Sequence, residues 1–241
     1  MRALSRGSEH ETTFLWPEPH GTSSESSCAV RWFSGRRETQ LCGTGALAAT
    51  CCVTSGAPAD SCLSSQVRLH APQATLVGRR EGARRVAVRL PRFDWNLYEP
   101  APALLRALRL RGATVAAVAS ETTQTVLLHL PDARAVEALK PNGEALRALR
   151  HPELGAVIAA APGAKRFDVA YRYFTPWHGK DESRVAGSAL ALLAPYWSTH
   201  SRKRALRCHQ RSPLGASFNA HVRSGGVWIA ANAVCCRTAA V

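Results

Sequence analysis

The chain predicts a mixed α/β protein of two similar lobes, and two observations carry the prediction. The first is a pattern that occurs twice. Arg31-Trp32-Phe33-Ser34 and Arg172-Tyr173-Phe174-Thr175 are each followed by glycine and a small-residue helix: Cys42-Gly43-Thr44-Gly45-Ala46-Leu47-Ala48-Ala49 in one half, Ala186-Gly187-Ser188-Ala189-Leu190-Ala191-Leu192-Leu193 in the other. The copies lie roughly 140 residues apart, so each reads as one unit of strand, loop, glycine turn and apolar helix. The second is size and composition: 241 residues with 46% apolar content suffice for two modest cores.

The elements follow in order. Phe14–Trp16 and Ala29–Phe33 predict strands around a loop at Gly21–Ser27, and Gly45–Val53, rich in Ala and free of charge, predicts a buried helix. From Gln66 to Leu90 apolar and polar residues alternate around a charged centre at Arg79–Arg85, the pattern of antiparallel strands. Pro91, Pro100 and Pro102 punctuate a linker, which divides the chain into a lobe over 1–92, a linker over 93–102 and a lobe over 103–241. Beyond it come a helix at Ala103–Leu110, strands at Thr114–Ala119 and Thr125–Leu130, an Asp132-capped helix through Leu139 and a helix at Glu144–Leu149. Strands follow at Val157–Ala161 and Asp168–Phe174, then a basic loop over His200–Arg207, then strands at Ala220–Val222, Val227–Ala230 and Ala233–Cys235. Trp177, Trp197 and Trp228 are core or interface candidates, at least two of them core.

Charge and cysteine usage narrow the function classes. The net charge is +14, yet 27 of the 31 basic residues are Arg spread along an Ala-rich chain. Arg79-Arg80, Arg84-Arg85 and Arg202-Lys203-Arg204 have no interleaved aromatics on which bases could stack, which argues against a nucleic-acid partner. The eight cysteines include the adjacent pairs Cys51-Cys52 and Cys235-Cys236 but no CxxC, so no metal site is predicted. Met1-Arg2-Ala3-Leu4-Ser5-Arg6 has no apolar signal core, which points to a reducing, cytoplasmic setting. No apolar run is long enough to span a bilayer, so no membrane partner is expected.

Each glycine turn sets bare backbone N–H groups at a helix start, where they and the dipole favour an anion such as a carboxylate; packing of small residues is the structural alternative. Arg172-Tyr173-Phe174-Thr175-Pro176-Trp177, Gly187-Ser188-Ala189, Ala194-Pro195-Tyr196-Trp197 and Cys208-His209-Gln210 resemble the second half of the PhzF-like phenazine-biosynthesis family. In the first half, His10-Glu11-Thr12-Thr13-Phe14 resembles that family's Ser-Glu-Thr-Thr-Phe segment, and Glu38–Ala49 resembles its Cys-Gly-His-Ala-Thr-Leu-Ala turn. The resemblance implies a diaminopimelate-epimerase-like fold, each lobe a curled, mostly antiparallel sheet around a central helix, with the site in the cleft between lobes. It implies a cofactor-free isomerase of a small carboxylate-bearing metabolite, with homodimers common. Glu11 would be the acid/base, and Gly43, Thr44, Gly45, Ser183, Gly187 and Ser188 would bind substrate. Such chemistry requires a carboxylate base in a dry cleft and donors for the charge that develops; a solvated Glu11 near the chain start is the plainer reading.

Three departures qualify this. Thr44 stands where the family has histidine and Ser183 where it has aspartate, and neither trades protons near neutral pH. Family members usually begin with a further strand and helix carrying a Gly-Asn-Pro turn, whereas Glu11 lies ten residues after Met1; the first lobe is expected to be N-terminally truncated or recorded incompletely. The Cys42 turn also resembles the thiol motif of diaminopimelate epimerases and proline racemases, but Ala186 and Ser188 supply no second cysteine, so a Cys42 that packs behind its turn is the better reading. Three readings stand in order of preference: the isomerase, a catalytically inert relative that binds a metabolite or protein, and a basic nucleic-acid-binding protein.

Overall fold

In the computed structural model, residues 1, 11–18, 26–34, 37–55, 65–110, 114–149 and 154–235 are described. They form a mixed α/β fold that divides into two compact units, Met1–Pro91 with Trp228–Val241, and Arg92–Val227.

The first unit begins with β1 (Glu11–Pro17), β2 (Ser26–Ser34) and β3 (Arg37–Thr39), then α1 (Gly43–Thr54), β4 (Gln66–Ala71), β5 (Ala74–Arg80) and β6 (Arg85–Leu90). The second contains β7 (Asn96–Leu97), α2 (Pro102–Ala107), β8 (Ala116–Ser120), β9 (Thr125–His129), α3 (Ala133–Ala138), α4 (Gly143–Ala148), β10 (Ala156–Pro162) and β11 (Val169–Thr175). After a 3-10 turn at Pro176–His178 come β12 (Lys180–Glu182), α5 (Leu190–Ser201), β13 (Ala205–Gln210) and β14 (Ala216–Arg223). The last strand, β15 (Gly226–Asn232), pairs with β6, so the chain returns to its first unit. Strand order is β1-β2-β4-β5-β6-β15 in the first unit and β14-β13-β11-β10-β9-β8-β7 in the second.

The duplicated sequence is a duplicated supersecondary unit. β1 and β10 each run antiparallel to the strand that follows, β2 and β11. Each of those strands carries a three-residue hairpin partner, β3 on β2 and β12 on β11. A 12-residue helix then crosses over to a strand that pairs in parallel with the first, β4 beside β2 and β13 beside β11. An antiparallel partner follows in both copies, β5 and β14. The copies share one ion pair. Arg31 forks onto Glu38 of β3, and Arg172 forks onto Glu182 of β12 with contacts of 2.8 and 2.7 Å. Side chains two apart on a strand share a face, and each arginine also lies over the aromatic ring two residues on, Phe33 at 5.8 Å and Phe174 at 4.9 Å.

Both crossover helices are apolar and buried for most of their length. Within α1, Thr50 and Thr54 satisfy their buried hydroxyls by donating to Ala46 O (2.8 Å) and Thr50 O (2.6 Å). The helix lies so close to β5 that a Cβ on Gly78 would sit 2.0 Å from Thr50 Oγ1. Arg80 closes its C-terminal end by donating to Cys51 O and Thr54 O. In the second unit Leu104, Leu108, Leu128, Val136, Leu146, Val157 and Phe174 form the core under α2, α3 and α4, and Asp132 and Asn142 cap the latter two helices.

The structure differs from the sequence reading at several points. The expected basic loop over 200–207 does not extend that far: α5 continues to Ser201 and β13 starts at Ala205, because Leu206, Cys208 and Gln210 alternate inward. Ala233–Cys235 lies past the end of β15, and the helix expected to reach Leu110 stops at Ala107. The boundaries of the lobes shift too, since β6 claims β15 for the first unit and the expected linker joins the second. Of the three tryptophans, Trp197 is buried, Trp177 packs against the second-unit core and Trp228 is half-buried under Arg79. Among the described residues no helix is long and apolar enough to cross a membrane.

Candidate active site

In the first unit the sequence-predicted residues converge on the start of α1. Glu11 is the first residue of β1, and Thr13 shares its face of the strand. That face meets the first turn of α1: the Cys42 thiol donates to Glu11 Oε2 at 3.0 Å, while Thr13 lies beside Gly45. Cys42 is the N-cap, with extended backbone, and its Sγ accepts the Gly45 N–H at 3.1 Å while its carbonyl accepts the Ala46 N–H at 2.9 Å. Burial pushes the Cys42 thiol well up, the nearby Glu11 carboxylate adds to this, and the Gly45 and Thr44 amides oppose it. Cys42 is therefore a neutral thiol donor, not a thiolate base.

Gly43 and Gly45 are buried and Thr44 is half-buried. Gly45 is required by close approach: a Cβ there would lie 2.5 Å from Trp32 Cδ1 and 2.7 Å from Thr13 Oγ1. Its N–H is committed to Cys42, so this glycine serves the packing of α1 on β1 and β2. Glu11 itself is exposed, whereas the sequence reading expected a base in a dry cleft.

The second unit gathers the other predicted residues into a braced loop. Ser183 is half-buried; its N–H donates to Tyr173 O at 2.9 Å and its hydroxyl to Val185 O at 3.3 Å. Gly187 is buried, Ser188 is half-buried, and their carbonyls accept the first N–H groups of α5, from Leu190 and Ala191. The fully buried Gln210 holds this loop at both ends, donating to Ser183 O and accepting from Ala186 N, each at 2.6 Å. Tyr171 adds a bond from its hydroxyl to Ala186 O at 3.1 Å. Sequence reasoning quoted Gln210 within the Cys208-His209-Gln210 resemblance but assigned it no role; its physical signal was an amide placed in phase with the inward positions Leu206 and Cys208. It also missed the Glu11–Cys42 contact, which joins residues 31 apart that nothing local connects.

The densest basic run is engaged within its own unit. Arg79 pairs with Glu81 and covers the Trp228 ring, Arg80 caps α1, and Arg85 reaches Glu81. Among the described residues no group of three or more His, Cys, Asp or Glu side chains is arranged to hold a metal ion.

Comparison with known proteins gives this geometry its family. The phenazine biosynthesis-like protein family, PhzC-PhzF, matches residues 2–237. An uncharacterised isomerase of Pseudomonas aeruginosa is 31% identical over 209 residues, covering 85% of this chain and 74% of that protein. A human phenazine biosynthesis-like domain-containing protein is 30% identical over 233 residues, covering 90% of this chain and 78% of its own. Among solved structures, a PhzF-family protein of Enterococcus faecalis superposes with a TM-score of 0.76 at 25% identity, over 91% of this chain and 78% of that one. A predicted epimerase of Pseudomonas aeruginosa shares the fold at 19% identity, with a TM-score of 0.69 over 96% of this chain and 84% of that one. The chain thus belongs to the phenazine biosynthesis-like (PhzC-PhzF) family.

Proposed function

We propose that this protein is a cofactor-independent isomerase that moves a proton on a small carboxylate-bearing metabolite, with Glu11 as the acid/base. The observation that carries the reading is the Glu11 carboxylate held by the Cys42 thiol at the N-terminus of α1, in a family that includes a relative named as an isomerase. The thiol fixes one carboxylate oxygen and leaves the other to take a proton from carbon and return it elsewhere on the same substrate. Negative charge that develops on the substrate is favoured at the helix start. In the first unit the Gly43–Gly45 turn contributes the Thr44 hydroxyl and the Gly43 amide as anion contacts, with Gly45 as the packing element beneath them. In the second unit Ser183, Gly187 and Ser188 are the candidate substrate contacts, on a loop that Gln210 keeps rigid.

The test is deuterium incorporation. A panel of small amino and hydroxy acids is incubated with the protein in D2O and followed by proton NMR. The expected result is deuterium at a carbon-bound position of at least one compound, lost on Glu11→Gln by roughly two to four orders of magnitude. Exchange that survives Glu11→Gln removes Glu11 as the base.

A second reading, a catalytically inert metabolite-binding relative, is favoured by Thr44 and Ser183, the latter with its hydroxyl turned to its own loop. It predicts thermal stabilisation by members of the same panel with no exchange in any of them.

A further inference from the structure

In the second unit β13 and β14 pair antiparallel, and α5 packs on the side where Leu206, Cys208, Phe218 and Ala220 are buried. The opposite face carries Arg207 and His209 on β13 and Ser217, Asn219, His221 and Arg223 on β14, all exposed or half-buried. Helix α3 packs on β10 and β11 and touches this face through Glu137, which pairs with Arg211. The turn before β11 adds two residues. The Phe167 ring stacks on His209 with centroids 4.5 Å apart and 26° between planes, and Arg166 Cζ lies 5.2 Å from the Phe167 centroid. Arg211 Nη1 stands 3.3 Å from His209 Nδ1. Asp168 takes Lys203 at 2.7 Å and Arg207 at 3.5 Å. Arg166, Arg204 and Arg223 are exposed and pair with no carboxylate among the described residues. Burial lowers the His209 imidazole below its ordinary value, and Arg211 and Arg166 lower it further against the opposing Glu137, so the field over the stack is positive.

We propose that the outer face of β13 and β14 binds single-stranded nucleic acid, with Arg166, Arg204 and Arg223 on phosphates and the Phe167–His209 stack receiving a base. Phosphate contacts need cations that no carboxylate already holds, and stacking needs ring surface in reach of solvent; both rings are half-buried. Ser217 lies opposite His209 and Asn219 opposite Arg207, so neutral donors and acceptors for base edges flank the stack. A sheet face with rings on it suits splayed, unstacked bases, whereas a duplex groove takes a helix or a two-stranded ribbon. An acidic peptide would satisfy the cations and leave the rings unused. In sequence no aromatic interleaves with Arg202-Lys203-Arg204, which is what argued against such a partner. The fold brings one to that run from the distant turn before β11. The face lies wholly in the second unit and takes nothing from Glu11 or Cys42.

The full chain is titrated into a fluorescein-labelled, mixed-sequence RNA or DNA single strand of about 20 nucleotides, and anisotropy is read across a salt series. The expected result is binding whose log–log salt slope is about −2, from three phosphates at about 0.7 each. Arg204→Ala and Arg223→Ala each reduce that slope by about 0.7, while Arg84→Ala, at an exposed arginine of the first unit, leaves it unchanged. Phe167→Ala and His209→Ala each weaken binding by about 5- to 100-fold, with melting temperatures read alongside to establish that the variants are folded. No binding at low salt overturns the proposal. So does equal weakening by Arg204→Ala, Arg223→Ala and Arg84→Ala, the mark of diffuse charge attraction. Equal affinity for a duplex of the same length, or polyglutamate bound as tightly as the single strand, assigns the face to another anion and overturns it as well.

Discussion

The two copies of the arginine–glutamate fork provide an internal control on what burial does to an ion pair. Arg172 and Glu182 retain only 12% and 16% of their side-chain exposure, against 41% and 25% for Arg31 and Glu38. Arg172 also donates to Leu139 O at 2.7 Å and Val136 O at 3.4 Å, so it closes the end of α3. Replacing Arg172 with Met keeps the aliphatic stem but strands a mostly buried carboxylate and two helix carbonyls. Breaking one side of a buried pair costs about 3–5 kcal/mol, and the residual solvent access here points to the low end, about 3 kcal/mol. With a urea slope of about 2 kcal/mol/M, the midpoint falls by about 1.5 M. Arg31→Met, whose pair is open to water, should move the midpoint little. Urea titrations of both variants, together with Glu182→Gln and the Arg172→Met/Glu182→Gln double variant, decide the matter. The second substitution should recover part of the loss, because it removes the stranded charge. Equal losses for Arg31→Met and Arg172→Met would refute the argument from burial.

Three further outcomes follow from the same geometry. Gly45→Ala should destabilise by about 1–3 kcal/mol, since the new methyl meets a Trp32 ring that has no room to withdraw; a higher melting temperature would contradict the close approach. Gln210→Leu leaves the Ser183 carbonyl and the Ala186 N–H unpaired and should cost about 2–4 kcal/mol in a urea titration, with a loss under about 0.5 kcal/mol counting against the brace. Burial pushes Asp168 up, but hydrogen bonds from Lys203 and the Arg207 backbone outweigh it and hold its carboxyl below the usual range. Its stabilisation is therefore present at neutral pH and fades as pH falls through about 4 and below, so the gap between wild type and Asp168→Asn should be constant near neutral pH and narrow as pH falls below about 4.

What the sequence disclosed and what it hid divide along physical lines. The paired motifs were legible because a charge-free Ala/Leu helix behind a glycine turn is a local pattern, and it recurred with α1 and α5 in place. The ion pairs were not, because β3 and β12 are three residues each and too short to show a period, so nothing marked Glu38 and Glu182 as strand residues. Arg202-Lys203-Arg204 obscured the alternation that begins only at Leu206, which is why β13 read as a basic loop. Thr44 and Gly45 were read as anion contacts from their place in a turn. Only the packing against Trp32 and the Cys42 thiol reveals that Gly45 is spent on structure. The return of β15 to β6 depends on strand pairing across the whole length of the chain, which no window of residues encodes.

That return sets an order on the birth of the molecule. A chain emerging from the ribosome presents residues 11–90 first, yet the sheet they begin waits for its last strand until the C-terminal residues have left the exit tunnel. The second unit is continuous in sequence, from Arg92 to Val227. Synthesis therefore departs from the usual sequence in which N-terminal domains settle first: the first unit completes its sheet only once β15 is made. Until then β6 exposes an unpaired edge, and a nascent chain stalled short of Gly226 carries that edge into the company of its neighbours.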